Sequence, residues 1–229
     1  MKPSSLQGSR LLSIATILAT LLAAGCAEFS NHQENFEPQT ISFNSSEVGK
    51  TPNDFTTGLT GGGGPISWAV REDATSPDGR YVLAQESADE TEYRFPLCVY
   101  DKIVGRDVAV ETTFKAISGK MDEAGGVVLR YAPENYYIAR ANALENNVIL
   151  FKTVNGKRSK IEEVSAPVSK GEWHKLRFEA KGPHLTITFD GKIVIDRDDD
   201  TFSNAGKVGY WTKADSVTEF GNLKITRVQ

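Results

Sequence analysis

The sequence predicts an all-β protein, a sandwich of two antiparallel sheets, and three observations carry that reading. Strand-sized runs of alternating or β-branched residues recur at a spacing of roughly 8–12 residues, with turn residues between them. Beyond the N-terminal leader, no stretch of helical length has an apolar period of 3.6. Asn155-Gly156 and Asp190-Gly191 each sit between two such runs, in the residue types that the positive φ angles of a type I′ hairpin turn demand.

Composition sets the bounds. The chain has 229 residues, 39% hydrophobic and 24% charged, with a formal net charge of -4, which suits one globular domain with its own core. No basic stripe runs through it and the charge has the wrong sign, which argues against a nucleic-acid partner.

Lys2 and Arg10 form a basic region ahead of an apolar run, Leu11 to Ala24, too short to span a bilayer comfortably. The run closes on Leu22-Ala23-Ala24-Gly25-Cys26, which resembles a bacterial lipobox. Residues 1–25 therefore read as a lipoprotein signal peptide and Cys26 as the acylated residue. A diacylglycerol plus an amide-linked chain exceeds what stable anchoring needs. The expected location is the cell envelope: outer membrane, periplasmic face or extracellular surface, held to the membrane through the N-terminal lipid. Residues 26–37 read as a polar tether and 38–229 as the β domain. With Cys26 acylated, Cys98 has no disulfide partner, and its neighbours Pro96, Leu97 and Val99 mark it as a buried small hydrophobe.

In chain order, the first strand is expected over Thr40–Asn44. Gly61-Gly62-Gly63-Gly64-Pro65 reads as a loop; a phosphate-cradling role fails because no Lys-Ser/Thr and no helix pattern follow it. Further strands are expected over 66–70, 81–85, 97–100, 107–117, 173–180, 185–189, 192–196, 207–211 and 216–227. Between Gly125 and Val164 lies a meander. Pairing Val154 with Lys157 across Asn155-Gly156 sets Phe151 opposite Lys160 and Leu150 opposite Ile161. One face then carries Leu150 and Ile161, and the other Ile149, Phe151, Arg158, Lys160 and Glu162. A tight turn at Glu145-Asn146 puts Arg140 and Asn142 on the mixed face and Ala139, Ala141 and Ala143 on the apolar one.

Several blocks resemble one known family: Asn-Tyr-Tyr-x-x-Arg-Ala-Asn-Ala-Leu-Glu-x-Asn-Val from Asn135 to Val148, Asn155-Gly156-Lys157-Arg158, Trp173-His174-x-Leu176-Arg177, Asp190-Gly191, and the run from Trp211 to Thr218. The chain is similar to the 3-keto-disaccharide hydrolase-like group, within the concanavalin A-like lectin/glucanase and laminin-G-like jelly rolls. The resemblance implies two curved antiparallel sheets with a concave face able to hold a sugar chain, and hydrolysis of disaccharides oxidised at C3. A 3-keto group acidifies the C2 proton, so a base with an electrophile could drive elimination of the glycosidic oxygen. It also implies that Trp173 packs between the sheets. The alternative is a binding or adhesion module without catalysis, since fold does not fix function.

The residues narrow the chemistry. No Glu-x-Asp-x-x-Glu strand exists to place two carboxylates about 5–5.5 Å apart. Glu86, Asp89, Glu90 and Glu92 are wrongly spaced for it, and Glu162 and Glu163 fall on opposite faces of a strand. His174 reads as a core or strand-edge residue and His184 as exposed. The candidate site is Arg130, Arg140, Asn142, Lys152, Arg158 and Trp211 for binding a carbohydrate ligand, with Glu145, Lys213 and Asp215 as the catalytic set. Arg and Asn donate to sugar hydroxyls and Trp offers a flat apolar face. Each residue singly is also compatible with a solvated strand face or a surface ion pair. No metal site and no cofactor are expected. Asp196, Asp198, Asp199 and Asp200 offer oxygen ligands for calcium but lack the Gly and bidentate Glu of a binding loop.

Overall fold

Alternation builds the sheets. In the strand His174–Lys181, His174, Leu176, Phe178 and Ala180 are buried while Lys175 and Lys181 are exposed, the period-2 pattern of a half-buried strand. The structure, a computed structural model, describes residues 36–228. The signal peptide, Cys26 and His32 lie outside them.

Sixteen strands are present among the described residues. The back sheet runs β13 (Lys192–Asp198), β12 (His184–Phe189), β11 (His174–Lys181), β6 (Val108–Ser118), β15 (Val217–Phe220), β4 (Tyr81–Gln85) and β3 (Trp68–Glu72). The strand β16 (Leu223–Arg227) also pairs with β6, and β1 (Gln39–Ile41) with β16. The front sheet runs β10 (Lys157–Ser165), β9 (Asn147–Val154), β8 (Asn135–Asn142), β7 (Ala124–Ala132), β14 (Gly206–Trp211), β5 (Arg94–Gly105) and β2 (Phe55–Gly61).

Between the sheets lies the main core. Val110, Phe114, Leu176, Phe178, Ile187 and Phe220 of the back sheet meet Cys98, Val127, Leu129, Tyr137, Leu150 and Tyr210 of the front sheet. Each large side chain buried there contributes about 1.5–3 kcal/mol. Cys98 sits in this core, and burial pushes its thiol far above the ordinary value.

The other face of the front sheet is apolar too. Phe95, Leu97, Val99, Tyr136, Ile138, Ile149, Phe151 and Trp211 form a second cluster. It is covered because the sheet curls until the β9–β10 hairpin reaches the segment ahead of β5. The Tyr93 hydroxyl, beside β5, donates to the Gly156 carbonyl and accepts the Arg158 N–H of the β9–β10 hairpin. Gly126 keeps the concave surface low: a Cβ there would stand 2.8 Å from the Ala139 carbonyl and 3.2 Å from the Trp211 ring.

Several expectations are corrected. The first strand ends at Ile41, because Asn44 instead caps a 3-10 turn over Ser45–Glu47. Strand β2 was not foreseen, its glycines masking the alternation of Phe55, Thr57 and Leu59. Strand 216–227 is two strands, broken where Gly221 donates to the Thr113 carbonyl. The turn before β9 holds four residues, 143–146. In the hairpin, Val154 pairs with Lys157 and Phe151 with Lys160 as expected, and Asn155 and Gly156 take φ of 48 and 76°. A bulge at Ile161 then sets Leu150 opposite Glu162 and Ile149 opposite Glu163. That exchanges the two glutamates: Glu163, not Glu162, joins the concave face, while Glu162 pairs with Arg197. Trp173 is not between the sheets; its indole N–H donates to Thr75 and Lys115 lies over its ring, while Trp68 fills the core.

Candidate functional site

Curling gathers polar side chains at one mouth of the concave face. Arg140 leaves β8 two residues before Asn142, and both project to that side, as alternation from Tyr136 and Ile138 requires. The Arg140 side chain is only 2% exposed. Its Nη2 donates to Glu145 at 2.9 Å and to Asn147 Oδ1 at 2.8 Å, and Nη1 lies 3.6 Å from Asp122. Asp122 is fully buried and also bonds the Asn142 amide and the Lys213 ammonium. Asn142 Oδ1 accepts the Leu144 and Glu145 N–H groups, fixing the turn that presents Glu145. The Asn147 amide donates to both Glu145, at 3.1 Å, and Glu163, at 2.8 Å. The shared amide thus ties the two carboxylates together at the rim.

Electrostatics assigns the carboxylates different states. Burial raises the Asp122 pKa above its ordinary value against the pull of Lys213 and Arg140. At Glu145 burial acts in the same sense, but Arg140, Asn147 and Lys213 outweigh it and hold the pKa low. Lys160 and Asn147 lower that of Glu163. Both glutamates are thus ionised acceptors, and neither is the raised acid that protonates a leaving sugar oxygen. Glu145 and Glu163 are 41% and 37% exposed, so solvent and ligand reach them.

Deeper in the curl, Trp211 stacks on Phe95 at 5.4 Å and is fully buried, so no sugar ring lies on its face. Arg158 closes the cluster, its guanidinium 4.4 Å from the ring centroids of both Phe95 and Phe151.

Six of the sequence-derived residues therefore share one side: Arg140, Asn142, Glu145, Arg158, Trp211 and Lys213. Three do not. Arg130 lies at the β7 bulge with φ 51° and donates to the Arg106, Phe202 and Gly182 carbonyls. Lys152 alternates with Phe151 and so points the other way, to Asp199 and Thr201. Asp215 is buried and accepts the N–H groups of Lys120, Met121 and Asp122, which commits it to holding that loop. Asp122, Asn147 and Glu163 join the site unforeseen. Asn147 was legible as the partner of Asn142 across the turn; Asp122 lies in a loop and Glu163 behind a bulge, where periodicity is silent.

The remaining acidic candidates disperse. Glu86 pairs with Arg71 and Glu90 with Lys120. Asp196 and Asp198 flank His184, whereas Asp199 turns in to Lys152 and Tyr137. Among the described residues no group of three or more His, Cys, Asp or Glu could hold a metal ion. His174 is the core residue expected, bonded to Asp190 and stacked on Phe189.

Two antiparallel sheets, one curled about a buried aromatic cluster with a polar mouth, define a jelly-roll sandwich. Residues 49–226 match the 3-keto-alpha-glucoside-1,2-lyase-like domain, and the chain belongs to that family. Over 101 residues it is 32% identical to the levanase of Bacillus subtilis (strain 168), a match covering 43% of this chain and 15% of levanase. The chain thus spans a small part of that relative. A carbohydrate binding module, CBM66 from Bacillus subtilis, superposes with a TM-score of 0.60 at 25% identity, over 80% of this chain and 99% of the module. Domain 4 of AbnA, a GH43 extracellular arabinanase from Geobacillus stearothermophilus in complex with arabinotriose, gives 0.54 at 12% identity, over 84% and 94%. At that identity the likeness is one of fold.

Proposed function

We propose that this domain binds carbohydrate at the polar mouth of its front sheet. One observation carries the reading: the Asn147 amide ties Glu145 and Glu163 together at an exposed rim, with both carboxylates ionised. Ionised carboxylates accept strongly from sugar hydroxyls. Lys213 and Lys160 supply donors beside them, and Arg140 holds the set rigid from below. The similarity to CBM66 supports a binding role. Calorimetric titration with levan, arabinotriose and 3-keto-trehalose tests it. A saturable heat with at least one ligand, weakened tenfold or more by Glu163→Gln, is expected; no heat with any of them overturns it.

A second reading, cleavage of 3-keto glycosides, is favoured by the family match over residues 49–226. In this reading the exposed Glu145 carboxylate would take the C2 proton, and the Lys213 ammonium would steady the enolate oxygen. The C1–O bond then breaks, the departing alkoxide takes a proton from water, and an unsaturated keto sugar remains for hydration. Release of glucose from 3-keto-trehalose, abolished by Glu145→Gln, is the expected result. Retained binding with no product retires this reading alone. Envelope anchoring through Cys26 is part of the same proposal: labelled palmitate should enter the wild-type chain and not Cys26→Ser.

A further inference from the structure

A second hollow opens at the other end of the concave face. It has a volume of about 200 Å³ and is walled by Thr56, Val99, Asp101, Tyr131, Pro133 and Lys207, among others. Lys207 lies near the start of β14 and Lys213 just beyond its end, so this hollow and the polar mouth sit toward opposite ends of that strand. It shares no residue with the site already described.

Its size and chemistry restrict what it takes. The volume is several times the ~30 Å³ share of a water and below the ~300–1,000 Å³ of drug-sized sites. That matches one sugar ring, not an oligosaccharide. Pro133 and the Tyr131 ring supply apolar surface for the C–H face of such a ring, over a floor closed by the buried Val99. Tyr131 is held at a fixed tilt, 5.4 Å from Tyr136. Its hydroxyl lies over Gly58, where a Cβ would come to 3.6 Å, and makes no hydrogen bond to the described residues.

The polar rim is set for hydroxyl groups. Lys207 and Thr56 each donate to one oxygen of Asp101, both at 2.7 Å. Burial works against that carboxylate, but Lys207 and Thr56 keep its pKa below the ordinary value. Each Asp101 oxygen has an acceptor site left, Lys207 has donors left, and the Thr56 and Tyr131 oxygens can still accept. Lys207 and Asp101 cancel in charge, so nothing there selects an ionic ligand.

We propose that this hollow is a second carbohydrate site, taking a single uncharged sugar residue. It goes beyond the function proposed for the polar mouth and does not depend on it. Saturation-transfer NMR on the full chain with methyl glycosides of glucose, galactose, fructose, arabinose and xylose tests it, in wild type and in the double variant Glu145→Gln/Glu163→Gln. At least one glycoside should keep its signal in that double variant. The signal should fall at least fivefold on adding Lys207→Ala, and separately on adding Tyr131→Ala. If Tyr131→Ala does not fold, Asp101→Asn replaces it. No signal from any glycoside in the double variant, or a signal indifferent to Lys207, Tyr131 and Asp101, overturns the second site. Loss confined to the double variant would leave the polar mouth as the domain's site and sink this proposal alone.

Discussion

The Tyr136 hydroxyl on β8 donates to Thr60 Oγ1 on β2 at 2.9 Å, although β7, β14 and β5 lie between those strands in the sheet. A flat sheet would hold the two strands nearly 20 Å apart, at about 4.8 Å per step. The bond exists because the front sheet curls and brings its edges over a shared apolar filling. Burial raises the Tyr136 pKa, so the group stays a neutral donor.

Removing that bond should loosen the curl without opening the main core. Tyr136→Phe keeps the ring packing and leaves the buried Thr60 hydroxyl unpaired, which costs about 1–3 kcal/mol. Urea unfolding measures the loss, and hydrogen exchange should localise it to β2 and the β9–β10 hairpin. A loss above 3 kcal/mol, or exchange spread evenly over both sheets, would mean the ring packing was disturbed as well.

Arg158 offers a sharper case. Its guanidinium caps Phe95, Phe151 and Trp211, no carboxylate hydrogen-bonds to it among the described residues, and burial lowers its pKa. Hydrophobic residues of similar volume often replace charged groups set among apolar side chains at little cost or with gain. Arg158→Met should therefore unfold within about 1 kcal/mol of wild type or above it, whereas Arg158→Ala uncovers three rings and should lose about 2 kcal/mol or more. Equal losses for both would show that the charge, not the cover, is what matters.

How much of this could be read from the chain follows from where each residue sits. Where a strand ran unbroken, alternation placed Arg140 with Asn142 correctly, yet it sets Lys152, expected in the binding site, on the face opposite Phe151. Where a bulge intervened it failed, as at Ile161, which turned Glu163 to the site, and at Arg130, which was turned away from it. Asp122 and Asp215 belong to loops whose contacts are all long-range, so no local pattern announces that one binds the cations and the other only the backbone. The curl followed only from the family resemblance and not from the alternation, since an apolar outer face reads in sequence as core whichever side it lines.

Asp122 is the buried carboxylate that Lys213 and Arg140 share, with Arg140 tied besides to Glu145 and Asn147. Deleting it by Asp122→Ala leaves Arg140 and Lys213 beside an empty place, and the loss of a buried partner costs about 3–5 kcal/mol. Chemical denaturation checks this. For the same reason Arg140→Ala should lower the melting temperature markedly, so it cannot serve as a clean binding mutant; Glu163→Gln at the rim can. A loss below 1 kcal/mol for Asp122→Ala would show that the network is not coupled.

The rim carboxylates make a final statement about pH. Glu145 and Glu163 both have folded-state pKa values below their ordinary one. A group depressed in this way contributes stability that is present above its unfolded pKa and is lost as pH falls through the folded one. Affinity at the mouth depends on the same ionised forms, so it should be flat from neutral pH down to the ordinary glutamate range and fall only below it. Glu163→Gln should abolish much of that fall, while Glu162→Gln, whose carboxylate faces Arg197 across the bulge, should leave it intact. Calorimetry at a series of pH values separates the cases. A midpoint near neutrality would mean that a histidine or a raised carboxyl such as Asp122 governs binding in place of the two glutamates.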